Sequence, residues 1–313
     1  MRIIVVVLLL LTAPMPARAE TINDYGQRCE ALIAPIPTFN CADGVEIPVT
    51  VNGSVPASFQ PGMTCDRPAL FVPPEKGVDG QCVPYSRLLI LRDDAKAQIS
   101  AICRQKKIRP ANTMLYDEID IVAHDLPSGS TCWFQALASD PLSPGTGLNG
   151  KAVPPPTSAS APSFWNPPTK TAEGKCISCH DSDPFMYSPF VAQTGLLPQD
   201  PFGKYRNDIG PDFANWPQPL ELTTRGNTCV GCHRVGSMAT CQVTMGQSVG
   251  RAPMLDADDW AKRYPNSHWM PAGNTMTPRQ WEVVHGSSVN ELARCCANPN
   301  ANGCIVRPLP RPQ

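Results

Sequence analysis

Fourteen cysteines in 313 residues, four of them within two Cys-x-x-Cys-His pentapeptides, constrain this chain more than any other feature. The pentapeptides are Cys176-Ile-Ser-Cys179-His180 and Cys229-Val-Gly-Cys232-His233. The other ten cysteines are Cys29, Cys41, Cys65, Cys82, Cys103, Cys132, Cys241, Cys295, Cys296 and Cys304. An even remainder reads as disulfides, up to five, provided the chain matures in an oxidising space. The N-terminus argues for such a space. Met1-Arg2 is a basic start, Ile3 to Leu11 is an unbroken apolar run, and Ala17-Arg18-Ala19 offers small residues where a signal peptidase reads. Residues 1–19 are therefore expected to be a signal peptide cleaved before Glu20. The apolar run covers roughly half of the ~20 residues a membrane span needs, and no later stretch is long and apolar enough to cross a membrane. The expected location is a bacterial periplasm, with the cell exterior or outer surface as the alternative.

Removing Arg2 and Arg18 leaves 24 basic against 27 acidic side chains, a balance of −3. That near-neutral balance lacks the basic footprint of a nucleic-acid binder. The 36 prolines limit long helices and strands, so a modest core is expected to rely on covalent staples.

Along the chain, residues 20–140 carry six of the ten remaining cysteines and neither pentapeptide. Glu46 to Val51, Arg87 to Leu91 and Glu118 to Ala123 look like short strands between turns. A helix is expected from Asp93 to Lys107, with Ala95, Ile99, Ile102 and Cys103 on one face. Local spacing suggests the pairs Cys29–Cys41, Cys65–Cys82 and Cys103–Cys132, although spacing does not determine connectivity. Residues 141–170, rich in Pro, Ser, Gly and Ala, read as an extended linker. Helical pieces are expected to dominate residues 171–313. One starts at Asp256, and another starts at Thr277-Pro278-Arg279-Gln280, where an N-cap Thr, Pro at the first position and Gln three residues on form a start signal. The expected fold class is thus α+β with much irregular structure. A disulfide-rich N-terminal domain of short strands precedes a mostly α-helical domain holding both pentapeptides.

Each pentapeptide matches the attachment pattern for haem c. On one helical turn the two thiols and the imidazole share a face. The thiols can add to the two vinyl groups of haem, and the histidine can reach the iron. Two haem c groups are therefore expected, bound covalently by Cys176, Cys179, Cys229 and Cys232, with His180 and His233 as proximal ligands. A zinc site made of the four thiols is the rival reading, but zinc gives no reason for a histidine after both pairs. A further rival places all four in disulfides. The motifs are only 53 residues apart, which leaves no room for two complete single-haem domains and places both haems in one unit. A low-spin haem needs a second axial ligand, usually His or Met. The candidates are His124, His268, His285 and Met270, and each also reads as an ordinary core or surface residue. Asp181 and Asp183 read as solvated or helix-terminal. Trp133, Phe134, Trp165, Phe185, Tyr187, Trp216 and Trp269 read as packing around the haems.

The pentapeptides resemble those of c-type cytochromes generally. The run Cys176-Ile-Ser-Cys-His-Asp-Ser-Asp-Pro-Phe185, with Thr131-Cys-Trp-Phe-Gln135 upstream and Trp269-Met-Pro271 downstream, resembles a group of exported dihaem cytochrome-like proteins of uncharacterised role. The similarity lies in short motifs scattered over residues 38–304. It implies a shared architecture, two haems and redox partner proteins. The expected function is electron transfer. The alternatives are a peroxidase-like dihaem oxidoreductase with one open iron, and a ligand- or surface-binding module with structural haems. Bacterial dihaem peroxidases are a weaker match, because their motifs lie much further apart.

Overall fold

A computed structural model describes residues 19–69, 78–139, 143–174, 176–198, 202–232, 234–237, 240–241 and 275–309. The leader expected at 1–19 (apart from Ala19), the helix expected from Asp256, and His233, His268, Trp269 and Met270 lie outside them.

The central element is an antiparallel sheet of five strands in the order β1-β2-β3-β5-β6. The strands are β1 (Val45–Glu46), β2 (Arg87–Asp93), β3 (Ala97–Arg104), β5 (Glu118–Asp125) and β6 (Thr131–Leu137). Two outlying strands, β4 (Leu115–Tyr116) and β7 (Leu148–Asn149), pair with each other. Side chains alternate between the two faces of a strand, and the register groups them by chemistry. Cys103 pairs Ile119, Ala101 pairs Ile121 and Ile99 pairs Ala123, while Ile121 pairs Phe134 and Ala123 pairs Cys132. These residues face the main hydrophobic core. The residues between them, Arg104 opposite Glu118 and Ile102 opposite Asp120, with Gln135 and Trp133 beyond, form the other face.

The helix expected over 93–107 is strand β3 instead. Ile99, Ala101 and Cys103 satisfy a period of two, and the helical pattern competed with it over too few residues to decide. Long-range pairing decides it. Asp94 Oδ1 accepts from the amides of Lys96 (2.8 Å) and Ala97 (2.9 Å) and closes the β2–β3 turn.

Helix α1 (Ile22–Leu32) is capped by Thr21, whose hydroxyl accepts from the Asp24 amide. It buries Ile22, Tyr25, Gly26 and Cys29, one stripe at helical spacing. The Tyr25 hydroxyl accepts from the Trp133 amide at 3.1 Å. Gly26 allows a close approach: a Cβ there would sit 3.0 Å from the Pro156 backbone, tighter than ordinary contact. Residues 143–170, which read as a linker, are part of this core. Val153 bridges Phe39, Ala161 and Trp165 are buried, and Trp165 Nε1 donates to the Pro154 carbonyl at 2.9 Å. Arg109, almost fully buried, forms a two-pronged pair with Asp117 (2.6 Å each) and donates to the Pro144 and Thr146 carbonyls, anchoring the start of the stretch.

Five disulfides account for all ten remaining cysteines. They are Cys29–Cys132, Cys41–Cys103, Cys65–Cys82, Cys241–Cys296 and Cys295–Cys304. Cys65–Cys82 is the pair that local spacing suggests. Cys29–Cys41 and Cys103–Cys132 are corrected, because α1 lies over the sheet and brings Cys29 to β6, while the turn after it meets β3.

Among its described residues the C-terminal part is not mostly α-helical. Short helices α2 (Ala161–Phe164), α3 (Pro168–Glu173) and α4 (Pro189–Ala192) begin at or beside prolines and stop within six residues. Strands β8 (Leu220–Thr224) and β9 (Cys304–Pro308) pair antiparallel. One long helix, α5 (Pro278–Ala297), starts at the Thr277 signal with a complete capping box: the Gln280 amide bonds Thr277 Oγ1, and the Thr277 amide bonds Gln280 Oε1. No helix among the described residues is long and apolar enough to cross a membrane.

Cys29–Cys132 closes a separation of 103 residues. Replacing both partners with Ser is expected to lower unfolding free energy by about 2–5 kcal/mol. Urea unfolding measures this, and a loss under ~0.5 kcal/mol would show that the bridge is dispensable.

Candidate functional site

The four cysteines outside disulfides are Cys176, Cys179, Cys229 and Cys232, the four of the pentapeptides. A fold that oxidises every other cysteine and leaves these thiols available argues against the all-disulfide reading. They do not gather as a zinc site would require, since no cluster of three or more His, Cys, Asp or Glu side chains able to hold a metal ion occurs among the described residues.

The first pentapeptide forms a tight turn. Cys176–Ser178 is a 3-10 segment, and the Cys179 and His180 amides both donate to the Cys176 carbonyl, at 3.1 and 2.9 Å. That turn brings both thiols and the imidazole to one place. His180 Nδ1 lies 2.9 Å from the Pro184 carbonyl. A carbonyl only accepts, so Nδ1 carries the hydrogen and Nε2 keeps its lone pair. Burial, opposed by the Pro184 bond, lowers the His180 pKa to about 4, so the ring is neutral at pH 7. A neutral imidazole oriented through its second nitrogen is the state a metal ligand needs. The fully buried Tyr205 donates its hydroxyl to the His180 carbonyl at 2.6 Å, and the Trp133 ring lies 4.9 Å from the imidazole.

These groups open onto a cavity of about 740 Å³, within the range of roughly 300–1,000 Å³ typical of cofactor pockets. Its floor is the polar face of the sheet, including Ile102, Val122, Trp133 and Gln135. Cys176, Cys179, His180, Phe185 and Met186 form the opposite side. Trp133 Nε1 is buried without a hydrogen-bond partner, an orphan donor in the wall. The residues present fit a haem: two thiols, one oriented imidazole, and a mixed apolar and polar pocket.

The second pentapeptide rests on α5. The Thr228 amide donates to Ser288 Oγ (3.0 Å), Asn227 Nδ2 to the Ser288 carbonyl (2.9 Å), and Trp281 and Val289 pack against Cys229. Burial raises the Cys229 thiol pKa. His285 Nδ1 meets Thr228 Oγ1 at 3.0 Å, and its Nε2 is buried without a partner.

Of the second-ligand candidates, His285 is thus at the second motif. His124 is buried on β5, bonded through Nδ1 to Thr131 Oγ1 at 2.9 Å, with burial lowering its pKa to about 4. It stands edge-on to Phe185 and is not among the residues lining the cavity. His268 and Met270 lie outside the described residues. Met186, which the sequence did not single out, lines the cavity.

Asp181 and Asp183 are buried, not solvated. Asp183 Oδ1 receives Arg234 Nε at 2.9 Å and Nη2 at 2.5 Å, and Arg234 Nη1 donates to the Gly203 carbonyl. Arg234 immediately follows His233, and Asp183 lies three residues after His180. Further contacts join the same segments. Ser182 Oγ donates to the Arg234 carbonyl, Thr240 Oγ1 donates to the Cys179 carbonyl at 2.8 Å, and a Cβ on Gly236 would collide with Asp181. The two motifs are locked together by their downstream residues. Of the expected haem-packing aromatics, Trp133 and Phe185 line the cavity, as does Phe134, which also joins Trp165 in the main core. Trp216 lies 6.0 Å from Trp133, and the Tyr187 hydroxyl donates to the Pro198 carbonyl.

No family model, curated protein or solved structure matches this chain.

Arg234→Ala leaves the Asp183 carboxylate buried without its cation and is expected to destabilise the protein by about 3–5 kcal/mol. Urea unfolding checks this. A change under ~0.5 kcal/mol would show that the pair does not lock the motifs.

Proposed function

We propose that the protein is an exported dihaem c-type cytochrome that relays electrons between redox partner proteins. The observation carrying this is the buried Arg234–Asp183 pair, which ties the segment after His180 to the segment after His233. Two redox groups held at these motifs would lie side by side, as a relay requires. Each haem, when bound, supplies an iron that accepts and gives up one electron. The chain supplies the rest. Cys176, Cys179, Cys229 and Cys232 anchor the two groups as thioethers, and His180 and His233 are their proximal ligands. The Pro184 carbonyl holds the tautomer of His180. His285, with Nδ1 bonded to Thr228 and Nε2 free, is the best placed second ligand for the group at Cys229 and Cys232. The resemblance to exported dihaem cytochromes and the five disulfides support a periplasmic or extracellular location.

One observation favours the oxidoreductase reading. Among the described residues, those lining the first cavity include no histidine besides His180, and Met186 is their one methionine. An iron left open there would be high-spin and would bind cyanide.

EPR of the oxidised protein separates the two readings. Two low-spin ferric signals support the relay, and one high-spin signal shifted by cyanide supports the oxidoreductase. His285→Ala is expected to convert one low-spin signal to high spin while both haems stay attached, and His124→Gln is expected to leave both signals unchanged. Unaltered signals in His285→Ala would remove His285 as a ligand.

A further inference from the structure

The cavity beside Cys176 contains a cluster of four charged side chains that electron relay alone does not use. Arg104 Nε lies 3.2 Å from Asp120 Oδ2 and 4.0 Å from Glu118 Oε2. Lys106 Nζ lies 2.8 Å from Glu118 Oε2, and Gln135 Nε2 donates to Glu118 Oε1 at 2.7 Å. All five residues line the cavity. Strand pairing fixes the arrangement, because Arg104 stands opposite Glu118 and Gln135 opposite Asp120.

The two carboxylates are not equivalent. Burial opposes the Glu118 charge, but Lys106, Arg104 and Gln135 together outweigh it and hold that carboxyl below its usual range. Asp120 faces burial and the Glu118 charge, with Arg104 bonded to it and Lys106 acting from further away, and its pKa is pushed up to about 7. From the motif side, Cys176 senses both carboxylates and His180 senses Arg104, so the cluster lies within electrostatic reach of both attachment residues.

Resting on the haem reading of the first motif, we propose that Asp120 is a proton-binding site coupled to the redox state of the group held by Cys176, Cys179 and His180. When a partner protein delivers one electron, the cavity gains one negative charge. A proton from solvent then forms an O–H bond on the Asp120 carboxylate and restores the balance. When the electron leaves, that O–H bond breaks and the proton returns to solvent. Glu118, bonded by Lys106 and Gln135 and facing the Arg104 cation, stays ionised throughout. The first site thus moves a proton with each electron.

The test is a redox titration of the holoprotein at a series of pH values, following each haem by its absorption. Coupling of one proton to one electron makes the midpoint potential fall as pH rises. The redox ratio changes tenfold per tenfold change in proton activity, about 59 mV per pH unit for one electron. The slope is confined between the pKa of Asp120 in the oxidised state and its higher pKa in the reduced state, and it is flat on either side. Asp120→Asn is expected to abolish the slope for one haem and leave the other unchanged. Should that variant fail to fold, Arg104→Gln serves in its place, and loss of the cation is expected to move the sloping window to higher pH. Potentials that do not change with pH, a slope that persists in Asp120→Asn, or a window unmoved in Arg104→Gln would each overturn the proposal. Absence of covalent haem would instead overturn the reading on which it rests, so the two failures are distinguishable.

Discussion

Antiparallel pairing of β3, β5 and β6 forces successive side chains to opposite faces, and this alternation lets one sheet serve both a disulfide-bonded core and a polar cavity. One face presents Ile99, Ala101, Cys103, Ile119, Ile121, Cys132 and Phe134 to α1 and the proline-rich stretch. The other presents Arg104, Glu118, Asp120, Trp133 and Gln135 to the first pentapeptide. A slip of one residue in the β3–β5 register would exchange the two sets and bury the charges in the core. Cys29–Cys132 and Cys41–Cys103 oppose such a slip, because each ties a strand of this sheet to a segment packed across its apolar face.

Electrostatics then connects the sites. The Asp183–Arg234 and Glu118–Lys106 pairs sit where water is scarce, with the half-buried Asp120–Arg104 pair beside the second, and a buried ion pair is costly unless it is well bonded. Replacing such pairs with apolar residues is often neutral or stabilising, so packing alone does not account for them. The first pair sets how the two motifs meet. The second set tunes the cavity in which the first redox group would sit. In the proposed function, both are constraints on potential and position more than contributions to stability.

The turn at the first pentapeptide, the capping box at Thr277 and the strands at Arg87 and Glu118 were legible because each depends on short-range spacing. The helix misread at Asp93–Lys107 shows the limit of that approach. Ile99 and Cys103, four residues apart, satisfy either period, and the deciding partners, Ile119 to Ala123, lie some twenty residues away. The same limit applies to Cys29 and Cys132, which are joined across 103 residues. The strand at Glu118 to Ala123 was legible but the cavity at Glu118 and Asp120 was not, because alternation reveals that one face is polar without revealing that the face lines a cavity. Arg234 gave no signal, since its partner is set by the packing of two loops.

Counting covalent haems tests the central claim most directly. The protein would be expressed with a haem-maturation system in an oxidising compartment, unfolded, extracted with acidified organic solvent to strip loosely held haem, and assayed for haem per chain. Two haems per chain, falling to one when Cys176 and Cys179 are both replaced by Ser and to none when Cys229 and Cys232 are replaced as well, is the expected result. No retained haem, under conditions that mature a control cytochrome, would contradict the account.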